Sequence, residues 1–251
     1  MQLTKDYVPP YLMRVNKLVE VGTLAAIHRY PVKSMAGEPL EQAEASWHGI
    51  TGDRRWAFVR GGMERSTFPW LTMRENPQMG QYRAYFTDPE KPDTSATMVK
   101  TPEGDELDVV DPALAARLGF DARVLRQGRG VFDTFPLSLI STTTVATIGS
   151  IVGKGTDERR FRPNFVVKPH DDAPFVEDGW VGKEVIIGEF AMRVDKRDKR
   201  CVMINVDPDD STRDPAFLRA VAQHRDACLG VYGTVVRPGI VKIGDAVLTS
   251  R

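Results

Sequence analysis

Short apolar segments separated by turn residues dominate the chain. In the first half, strand-like segments alternate with Pro, Gly and Asp turns at residues 22–30, 57–60, 81–86, 97–100 and 107–110. The second half has similar segments after Asn164 and at residues 184–187, 191–195, 230–236, 240–243 and 246–249. Short segments bounded in this way are typical of β-strands. The pattern therefore predicts a mainly β protein.

Three short helices are predicted from their capping residues. Asp111, followed by proline, is a typical N-cap, and the helix that it begins should end at Gly119. A second helix should begin after Ser141 or Thr142, and a third after Asp214. The predicted fold class is thus α+β, mostly β, with a few short helices.

Composition narrows the kinds of ligand. The 251 residues contain 34 Lys plus Arg and 34 Asp plus Glu, so no net field favours nucleic acid or a membrane as a partner. Arginines instead cluster locally, at residues 159–162 and 197–200, which suits a small anionic ligand. The chain start lacks an apolar signal segment, and no run approaches the ~20 apolar residues of a membrane span. We expect a soluble, cytoplasmic protein.

The most informative stretch surrounds Cys201. Residues 197–200 contain three cations, and a strand-like apolar segment follows the cysteine as far as Asp207. Positive neighbours favour the thiolate, which is both a nucleophile and a soft metal ligand. The stretch suits redox chemistry or a thiophilic metal, or else it is a buried cysteine at a strand edge. Cys228 is expected to be a core thiol, and two cysteines predict neither a disulfide framework nor an iron–sulfur cluster.

Other segments carry candidate anion-binding groups. Lys33 and Ser34 lie in a loop whose small and cationic members can approach a phosphate. The predicted helix N-terminus at Ser141 offers hydroxyls and free N–H groups, as anion sites do. The proline after Arg162 is expected to hold that arginine extended, so that Arg162 and Asn164 present donors toward one side. Taken singly, the Lys33 loop is also explained as an ordinary turn with an exposed lysine.

Four segments taken together resemble one known family. They are Tyr30-Pro31-Val32-Lys33-Ser34, Asp53-Arg54-Arg55-Trp56, Phe161-Arg162-Pro163-Asn164, and Arg200-Cys201 with Val206-Asp207-Pro208. In order and spacing these segments resemble the MOSC family, in its two-part form with a preceding MOSC N-terminal barrel domain, and within it the mitochondrial amidoxime-reducing component and its bacterial counterparts.

The resemblance implies a fold, a domain division and a cofactor. The fold would be two packed β-barrel-like domains: an extension at residues 1–20, a MOSC N-terminal domain at 21–120 and a MOSC domain at 121–251. The cofactor would be the molybdenum cofactor, Mo-molybdopterin, with Cys201 as the metal ligand. Asp207 would orient basic groups or move protons, unless it is a plain turn residue. The implied cofactor-binding residues are Lys33, Ser34, Arg54, Ser141, Thr144, Arg162, Asn164 and Arg200.

The activity implied by the resemblance is the two-electron reduction of small N-hydroxylated substrates. No ferredoxin-like tail is evident in the sequence, so the electrons would come from a separate ferredoxin, flavodoxin or cytochrome. Two alternatives stay open: a non-catalytic carrier or store for the cofactor, and sulfur transfer through a Cys201 persulfide. Sulfur transfer would need a desulfurase module to load the cysteine, and the chain lacks the length and the lysine-centred pyridoxal site of such a module. Pyridoxal phosphate binding is implied only as a general description of the family.

Overall fold

The computed structural model describes residues 17–250, and within them the chain forms sixteen strands and three α-helices. The first half contains β1 (Leu18–Arg29), β2 (Glu38–Leu40), β3 (Gln42–Ser46), β4 (Gly49–Ile50), β5 (Trp56–Val59), β6 (Arg83–Phe86), β7 (Thr97–Lys100), β8 (Glu106–Asp108) and α1 (Pro112–Leu118). The second half contains β9 (Arg123–Arg126), β10 (Leu137–Ser141), α2 (Thr142–Val152), β11 (Phe165–Pro169), β12 (Glu184–Ile187), β13 (Phe190–Lys199), α3 (Ala216–Arg225), β14 (Cys228–Arg237), β15 (Gly239–Lys242) and β16 (Ala246–Ser250). Most of the extension predicted at residues 1–20 lies outside the described residues.

Seven strands close into a barrel. Their order is β11-β10-β14-β13-β12-β16-β1, and β1 pairs back with β11. Gly22 lets β1 approach β11, because a Cβ at this position would lie 2.4 Å from the carbonyl oxygen of Lys168. Closure of this kind removes free strand edges. The prediction of a mainly β fold is confirmed.

Apolar side chains fill the barrel interior. Leu24 and Ile27 from β1 pack there with Phe165 from β11 and Phe190 from β13. Alternation along a strand sends every second side chain inward. Asp198 is the last buried residue of β13, so a carboxylate is buried near the C-terminal end of this strand.

A second core lies in the N-terminal half. The β5–β9 pair and the β6-β7-β8 sheet enclose it together with α1. Val32, Phe58, Leu71 and Leu114 are fully buried in this core. Strand β1 belongs to the barrel although it precedes this core, and β9 pairs with β5 although it follows residue 121. The domain division at residues 120 and 121 therefore stays a prediction.

The predicted helices are present. Asp111 caps α1 by accepting a hydrogen bond from the Ala113 N–H at 2.8 Å, and Gly119 ends the helix with a positive φ of 75°. Helices α2 and α3 pack together against the barrel through a third apolar cluster that includes Ile148 and Phe217. These caps and apolar faces are local signals, which is why the sequence sufficed to predict them.

The apolar segment after Cys201 differs from the prediction. It forms a 3₁₀ turn, Val202–Asn205, instead of a strand-like segment. Met203 packs toward the N-terminal core, whereas Ile204 is buried in the helical cluster. A tight turn lets these two consecutive apolar residues pack into two different clusters, the N-terminal core and the helical cluster. Burial in both clusters outweighs the local preference for a strand.

Candidate functional site

A cavity of about 220 Å³ opens at the seam between the N-terminal core and the barrel. Seven lysine and arginine side chains line it, against two carboxylates, Asp133 and Asp198. An excess of positive charge in a concave, partly buried space favours an anionic ligand. The seven cations are Lys33, Arg54, Arg74, Arg160, Arg162, Lys199 and Arg200.

Most of the predicted site residues meet in this cavity. Those that line it are Lys33, Ser34, Arg54, Arg162, Asn164, Arg200 and Cys201. Three others, Ser141, Thr144 and Asp207, do not line it. The first group comes from four loops that are far apart in the sequence, so the closed barrel and its neighbouring core bring them together.

Cys201 lies between the end of β13 and the 3₁₀ turn, and its partly exposed thiol lines the cavity. The Arg74 guanidinium lies 3.3 Å from Sγ. Of the three predicted cationic neighbours, Arg197 pairs with Asp178 at 3.1 Å, Arg200 donates to backbone carbonyl oxygens, and Lys199 lines the cavity without a hydrogen bond to the sulfur. The cation at the sulfur therefore comes from the N-terminal half and not from the adjacent run.

One carboxylate joins two cations of the N-terminal half. Asp133 binds Lys33 through Oδ1 and Arg74 through Oδ2, the latter at 2.9 Å. Lys33 also donates to the Val131 carbonyl oxygen at 3.1 Å. Burial by itself would raise the pKa of Asp133, but Lys33 and Arg74 together hold it below its ordinary value. Asp133 is therefore ionised at neutral pH.

Two arginines lie over one aromatic ring. The guanidinium carbons of Arg54 and Arg162 are 4.7 Å and 4.3 Å from the centre of the Tyr30 ring. Cations are attracted to the face of an aromatic ring. Burial raises the pKa of Tyr30 to about 12, so its neutral hydroxyl donates to the Pro163 carbonyl oxygen at 3.1 Å. Tyr30 thus holds both arginines at the cavity wall.

Asp53 links Tyr30, Arg54 and Asn164. Its fully buried carboxylate pairs with Arg54 and accepts hydrogen bonds from the Tyr30 N–H at 2.7 Å and from Asn164 Nδ2 at 3.1 Å. The Asn164 amide also donates to the His28 carbonyl oxygen at 3.2 Å. The polar atoms of Asn164 are thus used inside the protein. The Asn164 amide is engaged by His28 and Asp53, so the expectation that it presents its donors to the same side as Arg162 stays a prediction.

Arg162 adopts a left-handed conformation, with φ 53° and ψ 45°, and the predicted extended conformation is wrong. This conformation is costly for a residue that is not glycine, and doubly so before proline. Ser34 and Arg54 have positive φ values too, 66° and 49°. Strain of this kind persists where surrounding contacts enforce it, and it occurs often at functional sites. Burial lowers the pKa of Arg162 to about 10.

Ser141 and Thr144 hold an anion that belongs to the chain itself. The Glu177 carboxylate accepts hydrogen bonds from Ser141 Oγ at 2.7 Å and from Thr144 Oγ1 at 3.0 Å. Ser141 is the N-cap of α2, and the positive end of a helix attracts negative charge. The group bound at the predicted anion site is thus a side chain of the protein itself. The two hydroxyls therefore do not face a cofactor in this structure.

Asp207 acts as a structural residue in this fold. One carboxylate oxygen binds Arg160 Nη2 at 2.5 Å, and the other accepts from the Asp209 N–H at 3.0 Å. It thus stabilises the turn before Pro208 and holds Arg160, which does line the cavity. The predicted catalytic role has no contact to support it, whereas the alternative of a turn residue agrees with these hydrogen bonds.

Several residues of the site were missed by the sequence analysis. Tyr30 and Asp53 belong to two of the four segments that carry the family resemblance, but no role was predicted for either residue. Arg74 and Asp133 lie in loops without a distinctive pattern. Side-chain contacts across 127 and 100 residues of sequence bring them to Cys201 and Lys33, and no local signal reports contacts of that range.

The fold and cavity define a two-core β-barrel protein with a basic, thiol-bearing pocket at the seam. The MOSC N-terminal beta barrel domain matches residues 21–122, and the MOSC domain matches residues 126–248. The chain belongs to the MOSC family.

Named relatives are similar to the chain in sequence, and one solved structure is similar to it in fold. The chain is 26% identical to mitochondrial amidoxime-reducing component 1 of Homo sapiens and 24% identical to mitochondrial amidoxime reducing component 2 of Bos taurus. Each alignment covers 93% of this chain and 85% of the relative. The crystal structure of the YUAD protein from Bacillus subtilis matches with a TM-score of 0.52 at 14% identity, over 94% of this chain and 99% of that one. This likeness supports the fold.

None of the helices within residues 17–250 has the length and apolar character that a membrane span requires.

Proposed function

We propose that this chain is a molybdenum-cofactor-dependent oxidoreductase that reduces N-hydroxylated compounds. The observation that carries the proposal is the position of Cys201, whose thiol lies in a cavity with a large excess of cations. Named relatives of the chain are amidoxime-reducing components, which supports the same class of activity. These relatives are 21–26% identical to the chain. The substrate class is therefore proposed together with the type of reaction.

The residues present fit the molybdenum cofactor. Among the described residues, Ser34 Oγ and Arg162 Nη2 are buried polar atoms without a hydrogen-bond partner, and both residues line the cavity. Buried donors of this kind are costly unless a ligand satisfies them. A phosphate group supplies acceptors for such donors, and arginine binds it through paired hydrogen bonds. The soft thiolate of Cys201 is a suitable ligand for molybdenum that is already bound by sulfur.

The protein alone does not supply a full set of metal ligands at this place. Within residues 17–250, no three His, Cys, Asp or Glu side chains are grouped so that they can hold a metal ion. A metal bound by Cys201 would therefore receive its other ligands from the cofactor. The cofactor would supply the redox chemistry, that is, acceptance of electrons and removal of the hydroxyl oxygen from R–NHOH to give R–NH2 and water.

The chain would bind and orient the cofactor. Lys33, Arg54 and Arg162 would hold its phosphate and pterin, while Tyr30 and Asp53 keep both arginines in place. Arg74 would remain beside the Cys201 sulfur and balance its negative charge. Electrons would come from a separate protein of the ferredoxin, flavodoxin or cytochrome type. The cytoplasmic location expected from the sequence is part of the same proposal.

Metal analysis tests the proposal directly. The full chain is purified from a host that makes the cofactor, and molybdenum and pterin are measured per chain together with reduction of a hydroxylamine by an artificial electron donor. We expect both components and turnover in the parental protein. Cys201→Ala should reduce turnover more than about 100-fold, as the loss of an essential catalytic group does, with an unchanged circular dichroism spectrum.

The second cysteine provides the matched control. Cys228 begins β14 and lies outside the cavity lining, so Cys228→Ala should retain metal and turnover. Protein without molybdenum and pterin would refute the proposal. Protein that carries both but reduces no N-hydroxylated compound would favour a carrier or store of the cofactor. Full activity in Cys201→Ala would show that the thiol is not an essential ligand.

A further inference from the structure

Asp133 occupies two cations of the cavity, and one of them, Lys33, is among those assigned above to the phosphate and pterin. It lies in the segment between β9 and β10, and it binds Lys33 with one oxygen and Arg74 with the other. Its side chain is 31% exposed and belongs to the cavity lining. Asp133 is thus a carboxylate that faces a ligand site and already neutralises part of its charge.

In the part of the chain that the structure describes, two other polar residues of the cavity lining, Ser34 and Arg162, each have an unpaired buried donor atom. Within residues 17–250, Arg162 Nη2 and Ser34 Oγ are buried and have no hydrogen-bond partner, whereas Lys33, the neighbour of Ser34, is bound by Asp133 and by the Val131 carbonyl oxygen. The cavity therefore contains two kinds of donor. One kind is free for any anion, and the other kind is held by an internal competitor that an anion must displace.

We propose that Asp133 is a specificity-determining residue, which keeps singly charged anions from Lys33 and Arg74 and gives way only to a doubly charged group such as a phosphate monoester. The inference rests on the proposed function, because it concerns the phosphate-bearing ligand of the same cavity.

The physical reason is competition between charges of equal size. When a monoanion displaces Asp133, Lys33 and Arg74 exchange one singly charged partner for another, so their ion pairs gain little free energy. The monoanion also loses its hydration. A phosphate dianion brings a second charge and further acceptor oxygens, which reach the free donors of Ser34 and Arg162. Displacement is then offset by new hydrogen bonds. Asp133 moves toward solvent, to which it is already partly open.

Titration calorimetry of the cofactor-free full chain tests the inference with two probes. Inorganic phosphate at pH 7.5 is mainly a dianion, and nitrate is a monoanion. In the parental protein we expect phosphate to bind and nitrate to bind at least tenfold more weakly. In Asp133→Asn, nitrate should bind at least tenfold more tightly than in the parental protein, which corresponds to about 1.4 kcal/mol. Asp133→Ser serves as a second neutral variant.

Two further variants separate local competition from net charge. Asp93→Asn removes the same charge from an exposed carboxylate that pairs with Arg55, outside the cavity lining, and should leave nitrate binding unchanged. Lys33→Gln in the Asp133→Asn background should abolish most of the gain, because the released lysine is then missing.

Each contrary result overturns the inference. Nitrate binding within twofold of the parental value in both neutral variants would show that Asp133 is only a structural link. Equal tightening by Asp93→Asn would assign the effect to net charge. A gain that survives Lys33→Gln would place the anion elsewhere. These measurements use no molybdenum, so they fail or succeed independently of the metal analysis that tests the proposed function.

Discussion

Replacing Asp53 by asparagine removes the carboxylate that holds Tyr30, Arg54 and Asn164 together. The carboxylate is 1% exposed. It pairs with Arg54 and accepts hydrogen bonds from the Tyr30 N–H and the Asn164 amide. In Asp53→Asn one acceptor oxygen becomes an amide donor that faces other donors, and Arg54 becomes a buried cation without a counterion. The expected consequence is a large loss of stability.

The size of the loss follows from the burial of the pair. Removal of one partner from a buried ion pair typically costs about 3–5 kcal/mol, because the remaining charge is left uncompensated. Domains have unfolding free energies of about 5–15 kcal/mol, so the variant should fold but with a much lower denaturation midpoint. Urea denaturation followed by tryptophan fluorescence and circular dichroism measures the change.

A neighbouring pair supplies the control. Arg55 pairs with Asp93 at 2.9 Å, and the Asp93 side chain is 58% exposed. The Arg55 side chain is only 11% exposed, but the pair is screened by water at its open carboxylate and should contribute about 0–1 kcal/mol, as surface pairs do. Asp93→Asn should therefore change the unfolding free energy by less than about 1 kcal/mol. An equally small loss in Asp53→Asn would refute the argument that Asp53 is the electrostatic anchor of the cavity wall.

Two further predictions concern the helix termini. Asp111→Ala removes the N-cap of α1, which accepts from the Ala113 N–H, and should lower the unfolding free energy by about 1 kcal/mol; Asp172→Ala, at an exposed position, should change it by less than about 0.5 kcal/mol. Burial raises the pKa of Glu177 above its ordinary value of 4.5, against the hydrogen bonds from Ser141 and Thr144. The folded protein therefore keeps a proton that the unfolded chain has lost, and stability should fall as the pH rises from 4.5 through the folded pKa; Glu177→Gln should lack this decline in melting temperature.

These two predictions can fail in different ways. An Asp111→Ala variant as stable as Asp172→Ala would mean that the cap contributes nothing to the fold. Parallel melting curves for the parental protein and Glu177→Gln across pH 4 to 7 would mean that Glu177 is not the group that titrates.

Local features of the sequence were sufficient for most elements. Alternating apolar positions, Gly and Pro turns and the caps at Asp111 and Ser141 depend on residues a few positions apart, and the structure confirms the strands and helices that they predicted. The segment after Cys201 is the exception. Its apolar residues pack into two different clusters, the N-terminal core and the helical cluster. A preference for strand depends only on neighbouring residues and does not reflect packing of this kind.

The site was only partly accessible to the same reasoning. Cys201, Lys33, Arg54 and Arg162 were identified by residue type and by family resemblance, and all four line the cavity. The predicted role of Ser141 rested on the chemistry of a helix N-terminus and on the family resemblance, and that of Thr144 on the resemblance alone. In the structure both hydroxyls bind the carboxyl group of a distant residue, Glu177.

The sequence by itself determined which chemical groups this protein possesses: one thiol beside a cationic run, loops rich in arginine, and a chain of short strands. Only the tertiary structure decided which of these groups meet. Closure of the barrel and its packing against the N-terminal core turn Arg197 away, bring Arg74 to Cys201 and place Asp133 between two cations. The direction of a side chain depends on strand alternation, turns and contacts across more than a hundred residues, because packing is a property of the whole fold and not of a segment.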